Sequence, residues 1–171
     1  MNELIQKIEQ WANDRNIIKG SKPIDQAMKL FSEFGELADN VGKGRDCRDD
    51  IGDVFVVLTI MSAQMKNKIK IPMEILLDDL EVKQHVIELG NFLNNFSYQC
   101  ETKKEREFSL ESSIMSLIAI SNKLEYSLEE CVQIAYDDIK DRKGIMSNGV
   151  FVKESDPAYA SIIASIESNC E

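Results

Sequence analysis

Apolar residues recur at every third or fourth position in segment after segment, and this constrains the fold more than any other feature of the chain. Leu4, Ile5, Ile8, Trp11 and Ala12 keep that spacing until a polar stretch containing Gly20 and Pro23. Ala27, Leu30, Phe31, Phe34, Leu37, Ala38 and Val41 renew it as far as Gly42 and Gly44, and Ile51, Val54, Phe55, Leu58, Ser62 and Met65 carry it on towards Pro72. It returns in Val82, Val86, Leu89, Phe92, Leu93 and Phe96, then in Leu110, Ile114, Leu117 and Ile118. A sixth segment, Val132, Ala135 and Ile139, follows Ser127 and Glu130, which stand three apart as a capping box does. Such spacing lines up side chains on one stripe of an α-helix, whereas a half-buried strand alternates with a period of two. Alternation of that kind occurs only at residues 149–152, too short for a sheet to be expected, and Asp156 before Pro157 is placed to cap a short last helix. The expectation is an all-α fold: helices two to five form an antiparallel four-helix core, with the remaining N- and C-terminal helices outside it.

A shift of 55 residues lays Glu33, Gly35 and Asn40 on Glu88, Gly90 and Asn95, and also lays Lys68 on Lys123. Two related helical hairpins, 24–68 and 79–123, are therefore expected to pack about a pseudo-twofold axis, because either alone leaves an apolar face uncovered. Residues 1–155 read as one domain and 156–171 as a short helix or tail.

Composition narrows the function. Of 171 residues, 43% are apolar and 29% charged, an ordinary globular balance, and the formal charge of −10 would repel a phosphodiester backbone. No nucleic-acid partner is expected. The longest apolar run, around 54–63, is broken by Thr59 and Ser62 and is about half of the ~20 residues a bilayer span needs, so no membrane partner is expected either. The first fifteen residues lack the apolar stretch of a secretory signal, and Cys47, Cys100, Cys131 and Cys170 are too scattered for a disulfide or zinc framework. Free thiols and a cytoplasmic setting follow as expectations. There is no GxSxG elbow, no GxxxxGK[ST] and no GxGxxG, so serine-hydrolase chemistry and a P-loop or Rossmann nucleotide site are not expected. His85 is the single histidine and has no Glu-x-x-His around it, so a surface or capping role is expected rather than a di-iron site.

The carboxylates carry the functional signal. Glu33 and Glu36 stand three apart on helix two, and Asp50 and Asp53 repeat the step on helix three, so each pair projects from one helix face. An antiparallel hairpin through the loop near Gly42 and Cys47 can bring the pairs together, and four carboxylates around one small volume call for a hard cation, Mg²⁺ or Mn²⁺. A solvated acidic face is the alternative. Gly35 and Gly52 argue against it: each lies inside a helical stretch, where glycine costs ~1 kcal/mol relative to alanine and asks for a close-packing reason.

The run from Lys29 through Glu33, Gly35 and Glu36 to Ala38, followed by Asp49, Asp50, Gly52 and Asp53, resembles the ExxE, spacer, ExxD signature of the MazG-like nucleoside triphosphate pyrophosphohydrolases, an all-α superfamily. Asp50 stands where the family has glutamate. The tail from Tyr136 to Gly144, with Asn148 to Lys153, is similar to the C-terminal segment of phage and bacterial members. The resemblance implies Mg²⁺-dependent cleavage of (d)NTP to (d)NMP and pyrophosphate in nucleotide-pool housecleaning. Glu33, Glu36, Asp50 and Asp53 would hold one or two ions, and either Glu33 or Glu36 would act as the catalytic base. At the 55-residue offset Glu36 falls on Asn91 and Asp53 on Phe108, so one catalytic centre per chain is expected. Lys43, Arg45 and Arg48, then Lys140, Arg142, Lys143 and Lys153, are candidate phosphate contacts, although cations near a helix C-terminus also suit its dipole. Trp11 is a candidate base-stacking residue, with Asn13 beside it. A homodimer is the expected assembly, and a non-catalytic nucleotide-sensing or partner-binding helical module is the competing function.

Overall fold

The computed structural model describes residues 1–72, 79–98 and 102–168. Helices dominate: α1 (Asn2–Asp14), α2 (Ile17–Gly20), α3 (Pro23–Lys43), α4 (Arg48–Gln64), α5 (Val82–Ser97), α6 (Lys103–Lys123), α7 (Leu128–Ile139) and α8 (Tyr159–Ser168). Local chemistry sets their ends. The Lys22 N–H donates to Asp25 at 2.8 Å ahead of Pro23, the first residue of α3, and α3 stops at Gly44 in the left-handed region. The Thr102 hydroxyl accepts the Glu105 N–H, and the Glu105 carboxylate accepts the Thr102 N–H at 3.0 Å, a closed capping box for α6. At α7 only half of the expected box forms. Ser127 Oγ accepts the Glu130 N–H at 3.0 Å, but the Glu130 carboxylate turns out to Arg48 at 3.3 Å. Asp156 does not cap α8: it lies two residues ahead of the cap position, and its carboxylate accepts the Ala158 N–H at 2.8 Å in the turn that precedes the helix.

The all-α expectation needs one amendment. Gly144–Ser147 (β1) and Val150–Lys153 (β2) pair antiparallel, Gly144 opposite Lys153 and Ser147 opposite Val150. The turn between them is Asn148-Gly149 with φ of 50° and 79°, the two-residue hairpin turn whose backbone twist matches that of paired strands. The turn residues, rather than the length of the alternating run, make this hairpin.

α4 occupies the centre. From Ile51 to Ser62 every residue except Asp53 is buried, and α1, α2, α3, α6 and α7 pack around it, while α5 packs on α6 and α3. Its buried hydroxyls return to its own carbonyls, Thr59 to Phe55 and Ser62 to Leu58, so polar residues enter the core with their donors satisfied. α7, expected outside the core, belongs to it: Cys131, Val132 and Ala135 are fully buried. Gly52 is the reason α4 and α7 can approach so closely, because a Cβ there would stand 2.2 Å from the carbonyl oxygen of Cys131. Gly35 behaves differently, with nothing among the described residues within 4 Å of the corresponding point. His85 is not a surface residue. Only 3% exposed, it lies with Nδ1 3.6 Å from Glu88. Cys47 and Cys131 are free and buried, and burial pushes their thiols up to about 11 and 12, so neither is a ready nucleophile. Cys100 and Cys170 lie outside the described residues, as do Met73 and Glu74 of the stretch 68–74 that the 55-residue offset lays on 123–129. Among the described residues no helix is long and apolar enough to cross a membrane.

Candidate functional site

A cavity of about 680 Å³ opens beside α3 and α4. Lys29, Glu33 and Glu36 of α3 and Asp53 of α4 form one wall; Arg142 and Lys143 after α7 and Lys153 of β2 form the other. Trp11, Ile17, Val56, Val57, Ile60, Ile139 and Phe151 supply the apolar lining. An acidic wall and a basic wall thus line one space large enough for a nucleotide-sized molecule.

The acidic wall is electrostatically loaded. Glu33 is 4% exposed and its carboxylate is paired with Lys29 one turn earlier on α3. Asp53 is the one residue between Ile51 and Ser62 that is not buried. Burial, and then the charges of Glu33 and Asp49, push its carboxyl up to about 7, against a partial offset from Lys29 and Arg142. Asp49 is also raised, by burial first and then by Asp138, Asp50 and Glu33. Asp50 is raised by burial, opposed by a 2.8 Å hydrogen bond from Asn40 Nδ2. Carboxylates of α3, α4 and α7 therefore repel one another around the N-terminal half of α4.

The basic wall is held in place by α1. Arg15 donates to the carbonyl oxygens of Arg142 at 2.6 Å and Lys140 at 2.9 Å, and its guanidinium lies 5.0 Å from the Trp11 ring centroid. Asn16 Nδ2 donates to the Met146 carbonyl, and the Met146 N–H donates to the Arg15 carbonyl. These bonds fix the α7–β1 connection and the hairpin over the cavity. Trp11 Nε1 is buried with no hydrogen-bond partner among the described residues.

Of the residues singled out in the sequence, Glu33, Glu36, Asp53, Trp11, Arg142, Lys143 and Lys153 meet at this cavity. Asp50 sits behind the wall, bonded to Asn40. Lys43 pairs with Asp39 at 2.6 Å, Arg45 lies 3.8 Å from Asp39, and Lys140 pairs with Asp137 at 2.6 Å; none of the three lines the cavity. Arg48 is taken by Asp46 and Glu130 and lies over Tyr126. Sequence reasoning missed Lys29, Asp49 and Gln26. Lys29 and Asp49 were within reach of it, because each stands four residues before a carboxylate of the wall and so shares its helix face. Gln26 is fixed by a bond from its Nε2 to Ser21 Oγ at 2.9 Å, a contact that no spacing rule foretells.

No family model and no solved structure matches the chain. It is similar to an uncharacterized 18.2 kDa protein from the rep-hol intergenic region of Haemophilus phage HP1, strain HP1c1, with 47% identity over 66 residues. That match covers 37% of this chain and 40% of the phage protein, so the chain spans less than half the length of its relative.

The donor chemistry of the acidic wall suits a hard divalent cation. Among the described residues no three Asp, Glu, His or Cys side chains converge as a ready-made ion site. Mg²⁺ does not require one: it keeps several waters and takes one or two carboxylates, with substrate phosphates completing the shell. Burial, and after it the charges of Glu33 and Asp49, disfavour the ionised Asp53, and a bound cation would offset both, so the residues fit such an ion.

Proposed function

We propose that the chain is a Mg²⁺-dependent nucleoside triphosphate pyrophosphohydrolase of the MazG-like kind, converting (d)NTP to (d)NMP and pyrophosphate. The observation that carries this reading is that Glu33, Glu36 and Asp53 share the lining of one cavity with Arg142, Lys143 and Lys153 and with apolar side chains. Glu33, Glu36 and Asp53, with Asp49 and Asp50 beside them, would hold the metal, which when bound neutralises phosphate charge and acidifies a water. Arg142, Lys143 and Lys153 take the phosphate oxygens and the negative charge that develops on the leaving pyrophosphate. Trp11, Val57 and Ile60 receive the base. Glu33 is held by Lys29, so Glu36 is assigned the proton of the attacking water. The water oxygen bonds to the α-phosphorus, the bond from that phosphorus to the bridging oxygen breaks, and pyrophosphate leaves with the electron pair.

In the same reading 24–68 is the catalytic hairpin and 79–123 its structural mate about a pseudo-twofold axis, acting on cytoplasmic nucleotides. The test is a panel of NTPs and dNTPs with Mg²⁺ and with Mn²⁺, assaying pyrophosphate separately from orthophosphate. Pyrophosphate release from at least one nucleotide is expected. No turnover with any of them would transfer the assignment to a non-catalytic nucleotide-sensing module, the reading that the unconverged carboxylates favour.

A further inference from the structure

Gln26, near the start of α3, holds an amide whose two ends are differently placed. It is 5% exposed and lines the cavity. Its Nε2 donates to Ser21 Oγ at 2.9 Å. Ser21 Oγ gives its single proton to the Ile17 carbonyl at 2.7 Å, so towards every other neighbour it is an acceptor only. Gln64 Nε2, at the end of α4, donates to the same oxygen at 3.0 Å and to the Ser21 carbonyl at 3.1 Å. One proton given and two accepted complete the hydroxyl. Turning the Gln26 amide over would set its carbonyl against an oxygen with no proton left to offer. Oε1 is therefore fixed as the other end of the amide, and no described residue donates to it.

This acceptor belongs to the apolar end of the cavity. Gln26, Lys29, Glu33 and Glu36 follow one another at steps of three, four and three on the face of α3 that lines it. Gln26 is seven residues ahead of Glu33, a rise of about 10 Å along the helix axis. α4 runs back along α3, its Gln64 reaching Ser21, so Asp53 comes level with the carboxylates of α3 while Val57 and Ile60 come level with Gln26. Phosphates that meet a metal at Glu33 and Asp53 thus leave the base among Val57, Ile60 and Trp11, with its outer edge at Gln26. Apolar walls fit a base by shape, whereas an amide held one way round distinguishes bases of the same shape.

We propose that Gln26 Oε1 reads the base, and that the site takes nucleotides whose base carries an exocyclic amino group on that edge, the 4-amino group of cytosine or the 6-amino group of adenine. The amino N–H donates to Oε1. Uracil, thymine and hypoxanthine put a carbonyl oxygen in the same place, which sets two acceptors against each other where neither is satisfied. Ser21 is the positioning residue: it holds the amide one way round and touches no substrate. Base reading rests on the nucleotide site proposed above, not on the hydrolysis assigned to it.

Titration calorimetry of the full chain with CMP, UMP, AMP and IMP in Mg²⁺ measures recognition without turnover, and each pair exchanges an amino group for a carbonyl oxygen at constant size. CMP over UMP and AMP over IMP are each expected to be favoured by about tenfold or more, the scale of one buried polar atom left unpaired. A preference in one pair alone identifies that base as the ligand and sustains the proposal. Gln26→Leu should bring the amino-bearing member of each pair down to the affinity of its keto partner. Ser21→Ala lets the Gln26 amide turn and present its NH₂, so UMP and IMP should gain and each ratio should fall towards one. Ser21→Thr keeps a hydroxyl on extended backbone (φ −135°, ψ 164°) and should keep the ratio, an outcome that a merely structural Ser21 does not produce together with the loss in Ser21→Ala. Equal affinity within both pairs overturns the proposal, as does a preference that survives Gln26→Leu or Ser21→Ala. Discrimination among the monophosphates with no pyrophosphate released from any triphosphate sustains base reading and removes the hydrolase. Equal kcat/KM for CTP and UTP and for ATP and ITP, with pyrophosphate released, does the reverse.

Discussion

Glu33 on α3 and Glu88 on α5 stand at the same step of the 55-residue offset, and their surroundings differ throughout. Glu33 is buried at the cavity wall with Lys29. Glu88 is nearly half exposed, 3.6 Å from His85. Asp50 adds charge behind the acidic wall, whereas Glu105, its counterpart, closes the capping box of α6. Asp53 is forced towards neutrality in the middle of α4, and Phe108, its counterpart, is 63% exposed and meets Phe92 edge to face. Spacing alone therefore does not make a carboxylate functional. The α3–α4 hairpin acquires a candidate site because Glu33 is buried and Asp53 half-buried beside it, and because a distant segment, Arg142 to Lys153, brings cations to the same cavity.

The largest expected effect breaks or sustains this division directly. Asp53→Ala and Glu36→Ala should each lower turnover by ~10²-fold or more, the scale of a lost metal contact or general base, while Glu88→Gln leaves turnover unchanged. Steady-state pyrophosphate release measures all three. Equal losses at Glu88 and Asp53 would mean that both hairpins feed one site.

Next come the two mid-helix glycines that receive neighbours, Gly52 and Gly90. Gly52→Ala puts a methyl group against the backbone of α7, which can yield only if the helix moves, and should cost about 3 kcal/mol of unfolding free energy. Gly90→Ala meets the edge of the Phe34 ring, a side chain free to turn, and should cost about 1 kcal/mol. Urea denaturation separates the two. Equal costs would show that α3–α5 packing is as rigid as that of α4 on α7.

Asp53 also links the site to pH. Its carboxyl titrates near 7 in the folded chain and near the ordinary 3.8 when unfolded, so between those values the folded state holds the proton more tightly. The stability it contributes is full below about pH 4 and is lost as pH rises through about 7. Asp49 and Asp50 shift in the same direction. The exposed pairs that lower Asp39, Asp46 and Asp137 act the opposite way, but below the ordinary carboxylate range, so they do not obscure the window from pH 5 to 8. Metal-free protein should lose about 2 kcal/mol across that window, less than the full shift implies because the group is partly solvated. Asp53→Asn should flatten the slope, and Mg²⁺ should recover stability at pH 8 but not at pH 5. Denaturation midpoints at the two pH values, with and without Mg²⁺, measure this. A rising midpoint in metal-free wild type would contradict the crowding of the acidic wall.

Periodicity made α1 and α3 to α7 legible, because an amphipathic stripe needs no knowledge of its partner. It could not say which helices meet. α4 is apolar nearly all round, so its pattern is uninformative about direction, and the position of α7 became clear only through the contact at Gly52. The hairpin was written in Asn148-Gly149 rather than in strand length. At the site, Glu33, Glu36, Asp53 and Trp11 reach one cavity because each is fixed by a long helix, while Lys143 reaches it from the connection between α7 and β1. Lys43, Arg45 and Lys140 do not, because Asp39 and Asp137 lie within a turn or two of them and capture their charges locally. A cation's destination depends on its nearest carboxylate, which spacing along a helix shows better than membership of a basic cluster does.

The smallest expected effects fall at the matched pair Asp50 and Glu105, where the two hairpins should respond with opposite sign. Asp50→Asn removes a charge that burial, Glu33 and Asp46 disfavour, and an amide can still meet Asn40, so at pH 8 without metal the chain should gain up to about 1 kcal/mol. At position 105 the carboxylate accepts both the Thr102 N–H and, at 2.9 Å, its hydroxyl, so Glu105→Ala should cost about 1 kcal/mol, and Thr102→Ala a similar amount. Glu105→Gln keeps an acceptor for the N–H and should fall within ~0.5 kcal/mol of wild type. None of the α6 variants should alter turnover, since the box lies at the start of α6, away from the cavity lining. Chemical denaturation at pH 8 in metal-free buffer reads all four. A loss of stability in Asp50→Asn comparable to that of Thr102→Ala would mean that Asp50 serves, as Glu105 does, to hold a helix end, and that the hairpins differ less in their use of carboxylates than their burial implies.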